Sequence, residues 1–582
     1  MIPSVETRPH GSATEQSSAA KPSPDDHTLW PRGGPLSRPY PPGMRWEIPV
    51  EQYRDVLDLL EQTTRPRRNE VAFVCKGKTL TFAEVFAQAE ALAKYLGASA
   101  GIRVGDRTAV LLPNVLEFPV SLLGNLRAGA AQISLNPLFT SRELQAQLID
   151  SGARVLIAHA TTARVAKEAL VGTAVERVLV VGESSGEAWA GVLSERFDAA
   201  LEAGSTVHAG WELPRISRDD LALLQYTGGT TGSPKAAELT HGNMLASALQ
   251  VRSMLEGIVE YGAETILTAL PLYHIFALAV NLVVFMSFGA RNVLLENPRD
   301  TDALAAAFLQ DGITIMTGVN TLYAALVALP QLKGHDLSRI KLAIGGGTAV
   351  HRATSEAWRE RTGRHILEGY GLSETTCVVT LNPYTNPDFT ASVGLPLPST
   401  EVVILDDAGR VLGVGEEGEI CVRGPQLTRG YWNKPEATRA AFTEDGFFRT
   451  GDIGTIDSEG FVRICDRKKD MVIVSGFNVY PNEIEEVLSA LDGVRECAVT
   501  GLPDAKTGEA VRATIVRGRS TLTREEVAAH CRGQLAAYKV PKVVEFVETL
   551  PKSVVGKILR REVRAGTPAP ANALAPQTQE KA

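Results

Sequence analysis

The sequence predicts an α/β protein built from parallel layers, with at least two folded units, and three observations carry that prediction. Short β-rich runs such as "RTAVLLP" (107–113), "ARVLIAH" (153–159) and "RVLVVG" (177–182) alternate with helical patterns such as "LTFAEVFAQAEALAKYLG" (80–97), as parallel strands alternate with crossover helices. The 582 residues, 44% of them hydrophobic, exceed what one core usually serves. After Cys465 a charged connector, "DRKKD", leads into a smaller segment with its own signals: "MVIVSG", "PNEIEEVLSAL", "AVRATIVRG" and "REEVAAHCRGQL".

The flanks read differently. Residues 1–46 and 565–582 are rich in Pro, Ser, Gly or Ala and poor in large aliphatics, so they cannot offset the entropy of ordering and are expected to be disordered. The N-terminal stretch has no apolar core of a secretory signal, and its acidic residues argue against a transit peptide. The most apolar run, "IFALAVNLVVFMSFGA" (275–290), is too short for a span and contains Asn281, so a buried core helix is expected. A net charge of −8 lacks the basic excess of a nucleic-acid binder. The six cysteines form no C-x-x-C pair, which points away from zinc and disulfides and toward a reducing, cytoplasmic setting.

The chemistry begins at "YTGGTTGSPKAAELTHGN" (226–243). Small residues let backbone N–H groups approach an anion, hydroxyls add donors, and Lys235 adds a charge-assisted bond. This composition suits a polyphosphate cradle, and equally a mobile surface loop. It is not a Walker A loop, because three residues separate Gly228 from Gly232 and Ser233-Pro234 precede Lys235. In "LAIGGGTAV", Gly345 to Gly347 follow a β-like run, where a flat ring could rest on bare backbone or the chain could simply turn. "LEGYGLSETT" offers Tyr370 as an aromatic face, then Ser373 and Glu374; one carboxylate beside substrate phosphates is a usual Mg²⁺ arrangement, though an isolated glutamate is more often solvated. Asp452 in "FRTGDIG" could accept from two ribose hydroxyls or cap its turn.

In order along the chain, "YTGGTTGSPK", "PLYHIFAL", "LEGYGLSET", "GEICVRG", "GYW", "TGD", "DRKKD", "SGFNVYPNEIE" and "PKSVVGKILRR" resemble the adenylate-forming superfamily of acyl-CoA synthetases, luciferases and adenylation domains. "TGVNTLY", "NPRD" and "YKVPKVVEF" are similar to those of bacterial long-chain fatty acid–CoA ligases. The resemblance spans residues 47–563. It implies a large multi-layered α/β domain with a β-barrel-like part over 47–466 and a small mobile α+β domain over 467–564, hinged at Lys469. It implies an acid–thiol ligase: ATP, Mg²⁺ and a carboxylate give acyl-AMP and diphosphate, and coenzyme A then displaces AMP.

Carried onto this sequence, the resemblance makes Thr227, Gly228, Gly229, Thr230, Thr231, Gly232, Ser233 and Lys235 the phosphate cradle, with Glu374 and Thr230 toward Mg²⁺. Gly346, Glu368, Gly369, Tyr370 and Ser373 would frame the nucleotide, and Asp452 would take the ribose with Arg467 nearby. Lys557 would reach the carboxylate and α-phosphate during adenylation; without its "PKSVVGK" frame it would read as a surface lysine. His274 would sit beside the substrate carboxylate, although a lone histidine among apolar residues is commonly a core one. Gly476 and Phe477 would face coenzyme A after the small domain rotates.

No Asp lies between Pro271 and Asn281, so the acidic partner of amino-acid-activating relatives is missing and an amine-free acid is expected. Phe276, Leu278, Val319 and Tyr323 are candidate walls for an acyl chain. Leu278 stands where some long-chain relatives carry a gating Trp, which puts such a gate in doubt. A ligase for medium-chain or aryl acids is the runner-up. A lipid-binding protein without catalysis fits poorly with Lys235, Glu374, Asp452, Arg467 and Lys557 all present. Peripheral association with the inner membrane and a homodimer stay open.

Overall fold

The computed structural model describes residues 39–183, 189, 191–208, 211–227, 235–504, 506–553 and 556–566. Two large sheets with parallel centres dominate it. One has nine strands in the order Leu395–Pro396, Thr380–Leu381, Leu367–Tyr370, Leu342–Gly345, Ile315–Gly318, Thr265–Thr268, Arg291–Leu294, Val71–Cys75, Lys78–Thr81. The other has seven, running from Leu193–Arg196 through Arg177–Val181, Val155–His159, Arg107–Leu111 and Ala131–Ser134 to the hairpin Leu221–Thr227 and Lys235–Thr240. The inner strands are nearly continuous apolar runs because helices cover both faces. One cluster, which includes Phe82, Leu92, Phe118, Leu245 and Phe285, packs elements of both sheets together.

The β-barrel-like part corresponds to a four-stranded antiparallel sheet, Glu401–Leu405, Gly418–Arg423, Phe448–Ile456 and Val462–Arg467. It joins the nine-stranded sheet through a bridge between Gly394 and Val462. A separate five-stranded sheet follows, opening with Val472–Val474 and Phe477–Val479 and centred on Gly508–Arg517, with its own core of Val499, Ile515, Val527 and Cys531.

Local chemistry explains several element starts. Thr81 and Glu84, and Thr523 and Glu526, form reciprocal capping boxes. The "THGN" of the opening motif is another: Thr240 Oγ accepts the Asn243 N–H at 3.1 Å, and Asn243 Oδ1 accepts the Thr240 N–H at 2.9 Å. This box launches the buried helix His241–Leu255.

Two features differ from the reading of the sequence. The tail expected to be disordered to residue 46 packs onto the body from residue 39: Tyr40 donates to the Pro396 carbonyl at 2.9 Å, and the Arg45 N–H donates to Ser253 at 2.9 Å. The buried helix expected over 275–290 is a π-helix across Ala277–Val284. Asn281 is held within it by Thr268 (3.0 Å) and Thr317 (2.8 Å), so its amide is satisfied inside an apolar core. Among the described residues no helix is long and apolar enough to cross a membrane.

Candidate active site

Parallel strands place ligands outside their carboxyl ends, and the predicted residues gather there. In the nine-stranded sheet, Thr265–Thr268 leads to His274, Ile315–Gly318 to Val319 and Thr321, and Leu342–Gly345 to Gly346, while Leu367–Tyr370 leads to Ser373 and Glu374. Gly345 and Glu368 are direct partners across neighbouring strands. Gly346 donates to the Gly318 carbonyl at 3.2 Å, and a β-carbon there would lie 3.1 Å from the Phe276 ring and 3.3 Å from the Gly369 carbonyl. A side chain there would press on the ring and the carbonyl, so glycine suits this close approach.

The four-stranded sheet supplies a second wall. Asp452 and Arg467 sit opposite each other on adjacent strands, with Asp452 Oδ1 3.4 Å from Arg467 Nε. The Tyr370 hydroxyl donates to Asp452 Oδ2 at 2.6 Å, and burial together with that carboxylate pushes the phenol up. Asp452 is therefore aimed by partners on both sides.

Glu374 lies in a single 3₁₀ turn, Ser373–Thr375, followed by Thr376 and Cys377 at φ +47° and +91°. Such left-handed non-glycine residues persist only where surroundings hold them. Here Thr376 donates to the Gln426 carbonyl at 2.7 Å, and the Thr428 N–H donates to the Glu374 carbonyl at 2.7 Å. The buried Glu374 side chain accepts from the Tyr431 hydroxyl at 2.7 Å. Lys235 Nζ stands 5.2 Å from the Tyr431 ring centroid, which links Glu374 to the rim of the opening motif. That motif is a hairpin whose arms close at Thr227 opposite Lys235. Gly228, Gly229, Thr230, Thr231, Gly232 and Ser233 lie outside the described residues.

Lys557 and His274 share the mouth. Gly556, at φ +81°, accepts from Thr321 Oγ1 at 3.3 Å, so the chain enters Lys557 against the start of the Asn320–Ala328 helix. Burial, then the Arg467 cation, pushes the Lys557 ammonium down to about 7. Burial, then Lys557, pushes His274 down to about 4, so the imidazole is neutral. Its Nδ1 accepts the Phe276 N–H at 3.2 Å, which leaves the ring proton on Nε2.

Other predicted residues stand elsewhere. Glu368 turns back, accepting the Val350 N–H at 3.2 Å, and burial pushes it up to about 8; it holds the glycine turn. Phe276, Leu278 and Val319 share one core cluster. Tyr323 is not brought to that wall: it lies in a separate cluster, donates to the Ile344 carbonyl at 2.8 Å and packs edge-on against Trp358 at 5.0 Å. Gly476, at φ +85°, tips an open hairpin, and Phe477 is exposed and stacks on Tyr538 at 4.8 Å. Lys469 lies in an exposed turn between the last strand of the four-stranded sheet and the first of the five-stranded one. Tyr431 and Thr321 had no predicted role; "GYW" and "TGVNTLY" were the signals that contained them.

An apolar slot, too tight for water, lies between the His241–Leu255 helix and the π-helix. Met244, Ser247, Ala248, Ala279, Val283 and Thr376 line it. A cation-rich mouth, a carboxylate aimed by two partners and an apolar slot together suit an anionic nucleotide meeting an apolar acid.

The family model of the AMP-binding enzyme matches residues 60–432, and that of the AMP-binding enzyme C-terminal domain matches residues 483–557. The chain is 42% identical over 543 residues to the long-chain-fatty-acid–CoA ligase of Escherichia coli O157:H7, covering 90% of this chain and 97% of that one. It is 37% identical over 490 residues to a feruloyl-CoA synthase of an Amycolatopsis species, covering 84% and 94%. The ATP-bound crystal structure of MatB from Rhodopseudomonas palustris superposes with a TM-score of 0.78 at 32% identity, covering 88% and 99%. With both family models falling in chain order on the units that build this site, the chain belongs to the AMP-binding, adenylate-forming enzymes.

Proposed function

We propose that the chain is a long-chain fatty acid–CoA ligase working through an acyl-AMP intermediate. A carboxylate oxygen attacks the α-phosphorus of ATP, the bond to the bridging oxygen breaks and diphosphate leaves. The coenzyme A sulfur then attacks the acyl carbon and AMP leaves. The observation that carries this reading is Lys557 seated at the strand ends beside His274, Asp452 and Arg467. A cation there offsets the repulsion between two approaching anions. Neutral His274 donates through Nε2 and adds no charge.

Asp452 takes the ribose, the 227–235 hairpin takes the phosphates, and residues 467–564 turn about Lys469 so that Gly476 and Phe477 replace Lys557. Glu374 fits Mg²⁺: one buried, Tyr431-held carboxylate is what that ion accepts besides phosphate oxygens, and among the described residues no larger cluster of acidic or His/Cys ligands competes. Thr230 would be its companion. When bound, the ion would draw charge off the phosphates.

The acyl chain would enter by parting the two helices along the apolar slot, which is closed to water in the free protein, and each methylene buried there contributes about 0.8 kcal/mol. Ala279→Leu fills the slot, so kcat/KM for oleate is expected to fall by about 10–100-fold while octanoate is retained. An unaltered chain-length profile would place the chain elsewhere. The feruloyl-CoA synthase relative favours a second reading, a ligase for an aryl or medium-chain acid. The deciding assay follows AMP release by purified protein with ATP, Mg²⁺, coenzyme A and a series of acetate, octanoate, oleate, benzoate and ferulate. Strongest turnover with oleate supports the main reading; strongest turnover with ferulate or octanoate overturns it.

A further inference from the structure

We infer that Asp466, Arg560 and Thr321 position Lys557 for the adenylation step by clasping its loop across the connector. The inference rests on the proposed rotation about Lys469. Asp466 belongs to the four-stranded sheet, where it pairs with Ile453, and its carboxylate is fully buried. One partner is local, the Arg467 N–H donating to Oδ1 at 2.7 Å; the others lie beyond the connector. Arg560 Nη1 donates to Asp466 Oδ1 at 2.9 Å, and the Asn482 N–H donates to Oδ2 at 2.8 Å.

Arg560 follows Lys557 by three residues and opens the helix Arg560–Ala565. The same guanidinium forks onto Glu485, at 3.0 and 2.6 Å, and reaches the Asn482 side chain. Thr321 supplies the second point through the Gly556 carbonyl, where a β-carbon would lie 2.8 Å from Thr321 Oγ1 and 3.3 Å from Val319. Lys557 is thus held from both sides, one residue after Gly556 and three before Arg560.

Asp466 precedes Lys469, whereas Asn482, Glu485 and Arg560 follow it. Rotation at Lys469 therefore breaks every bond between Asp466 and the later unit. Arg560 keeps its two-bond fork to Glu485 through that motion, because both lie on the moving side. Opening leaves Arg560 paired with Glu485, and leaves Asp466 the Arg467 N–H and whatever water the parting surfaces admit, so the clasp can release at the moderate cost a switch needs. These residues touch no substrate; they act through where Lys557 stands.

The test uses full-length Asp466→Asn and Thr321→Val proteins. Three quantities are read: acyl-AMP formation from oleate and ATP without coenzyme A, thioester formation from synthetic oleoyl-AMP, and tryptic cleavage at the 466–470 connector mapped by mass spectrometry. The expected result is an acyl-AMP rate lowered about ten-fold with the thioester rate unchanged or raised, and faster connector cleavage, as a shifted two-state equilibrium requires. Equal loss of both half-reactions, or no change in either with cleavage at the parental rate, overturns the clasp. Thr321→Val disturbs no buried charge, so it decides the matter if Asp466→Asn does not fold. A parent protein that forms neither acyl-AMP nor thioester with any acid would sink the ligase reading, and the cleavage rates would still judge the clasp.

Discussion

Lys557→Ala is expected to lower acyl-AMP formation by about 10³-fold, the scale seen when a group aimed at developing charge is removed. Thioester formation from preformed acyl-AMP is expected to stay within about two-fold, since on the proposed rotation about Lys469 the lysine leaves the site before that step. Equal loss of both half-reactions would refute the division of labour. The fold should tolerate the change, because the ammonium is a charge held in a low-dielectric site beside the Arg467 cation. The same surroundings set a pH dependence. With Lys557 near pH 7 in the free protein, its charge is present below that pH and lost above it. For adenylation, kcat/KM reports the free protein, so it should decline above about pH 7. Bound ATP is a polyanion that favours the charged ammonium, so the decline in kcat should lie at higher pH, and ATP binding near pH 8 should take up a proton. Calorimetry in buffers of different ionisation enthalpy measures that uptake directly.

The parts of this architecture that were legible in the sequence are those that local chemistry decides. Apolar runs of four to six residues such as Val155–His159 are strands, and capping pairs such as Thr81 with Glu84 start helices. The candidate nucleotide-site residues could be singled out because each sits in a short motif, several of them at a strand end. Contacts between distant segments were not legible. Arg560 and Asp466 are 94 residues apart and no local pattern joins them. Tyr323 shows the opposite limit. It is apolar enough for a wall, but its position on the Asn320–Ala328 helix turns it toward Ile344 and Trp358, and a choice of helix face depends on what packs there. The π-helix was hidden for a related reason: Asn281 finds its partners on strands ending at Thr268 and Gly318, which only the folded sheet brings beneath it.

Glu374→Gln should cost adenylation about 10²–10³-fold at a fixed low Mg²⁺ concentration. The substitution keeps the shape and an acceptor for the Tyr431 hydroxyl, now held at 2.7 Å, while removing the negative charge. If Glu374 serves a divalent cation, the loss should shrink as Mg²⁺ is raised, because weaker binding is offset by mass action. If instead the carboxylate only braces Tyr431, any loss reflects the weaker bond to a neutral amide oxygen, should be independent of Mg²⁺, and should be matched or exceeded by Tyr431→Phe. The two roles predict opposite behaviour for that second variant. Tyr431→Phe leaves the carboxylate and its charge in place, held by the Ser373–Thr375 turn and the bond from Thr428 to the Glu374 backbone. Its Mg²⁺ dependence should therefore stay near that of the parent. A Tyr431→Phe protein as impaired as Glu374→Gln, at every Mg²⁺ concentration, would take the metal role away from Glu374 and make the glutamate a brace for the aromatic ring beneath Lys235.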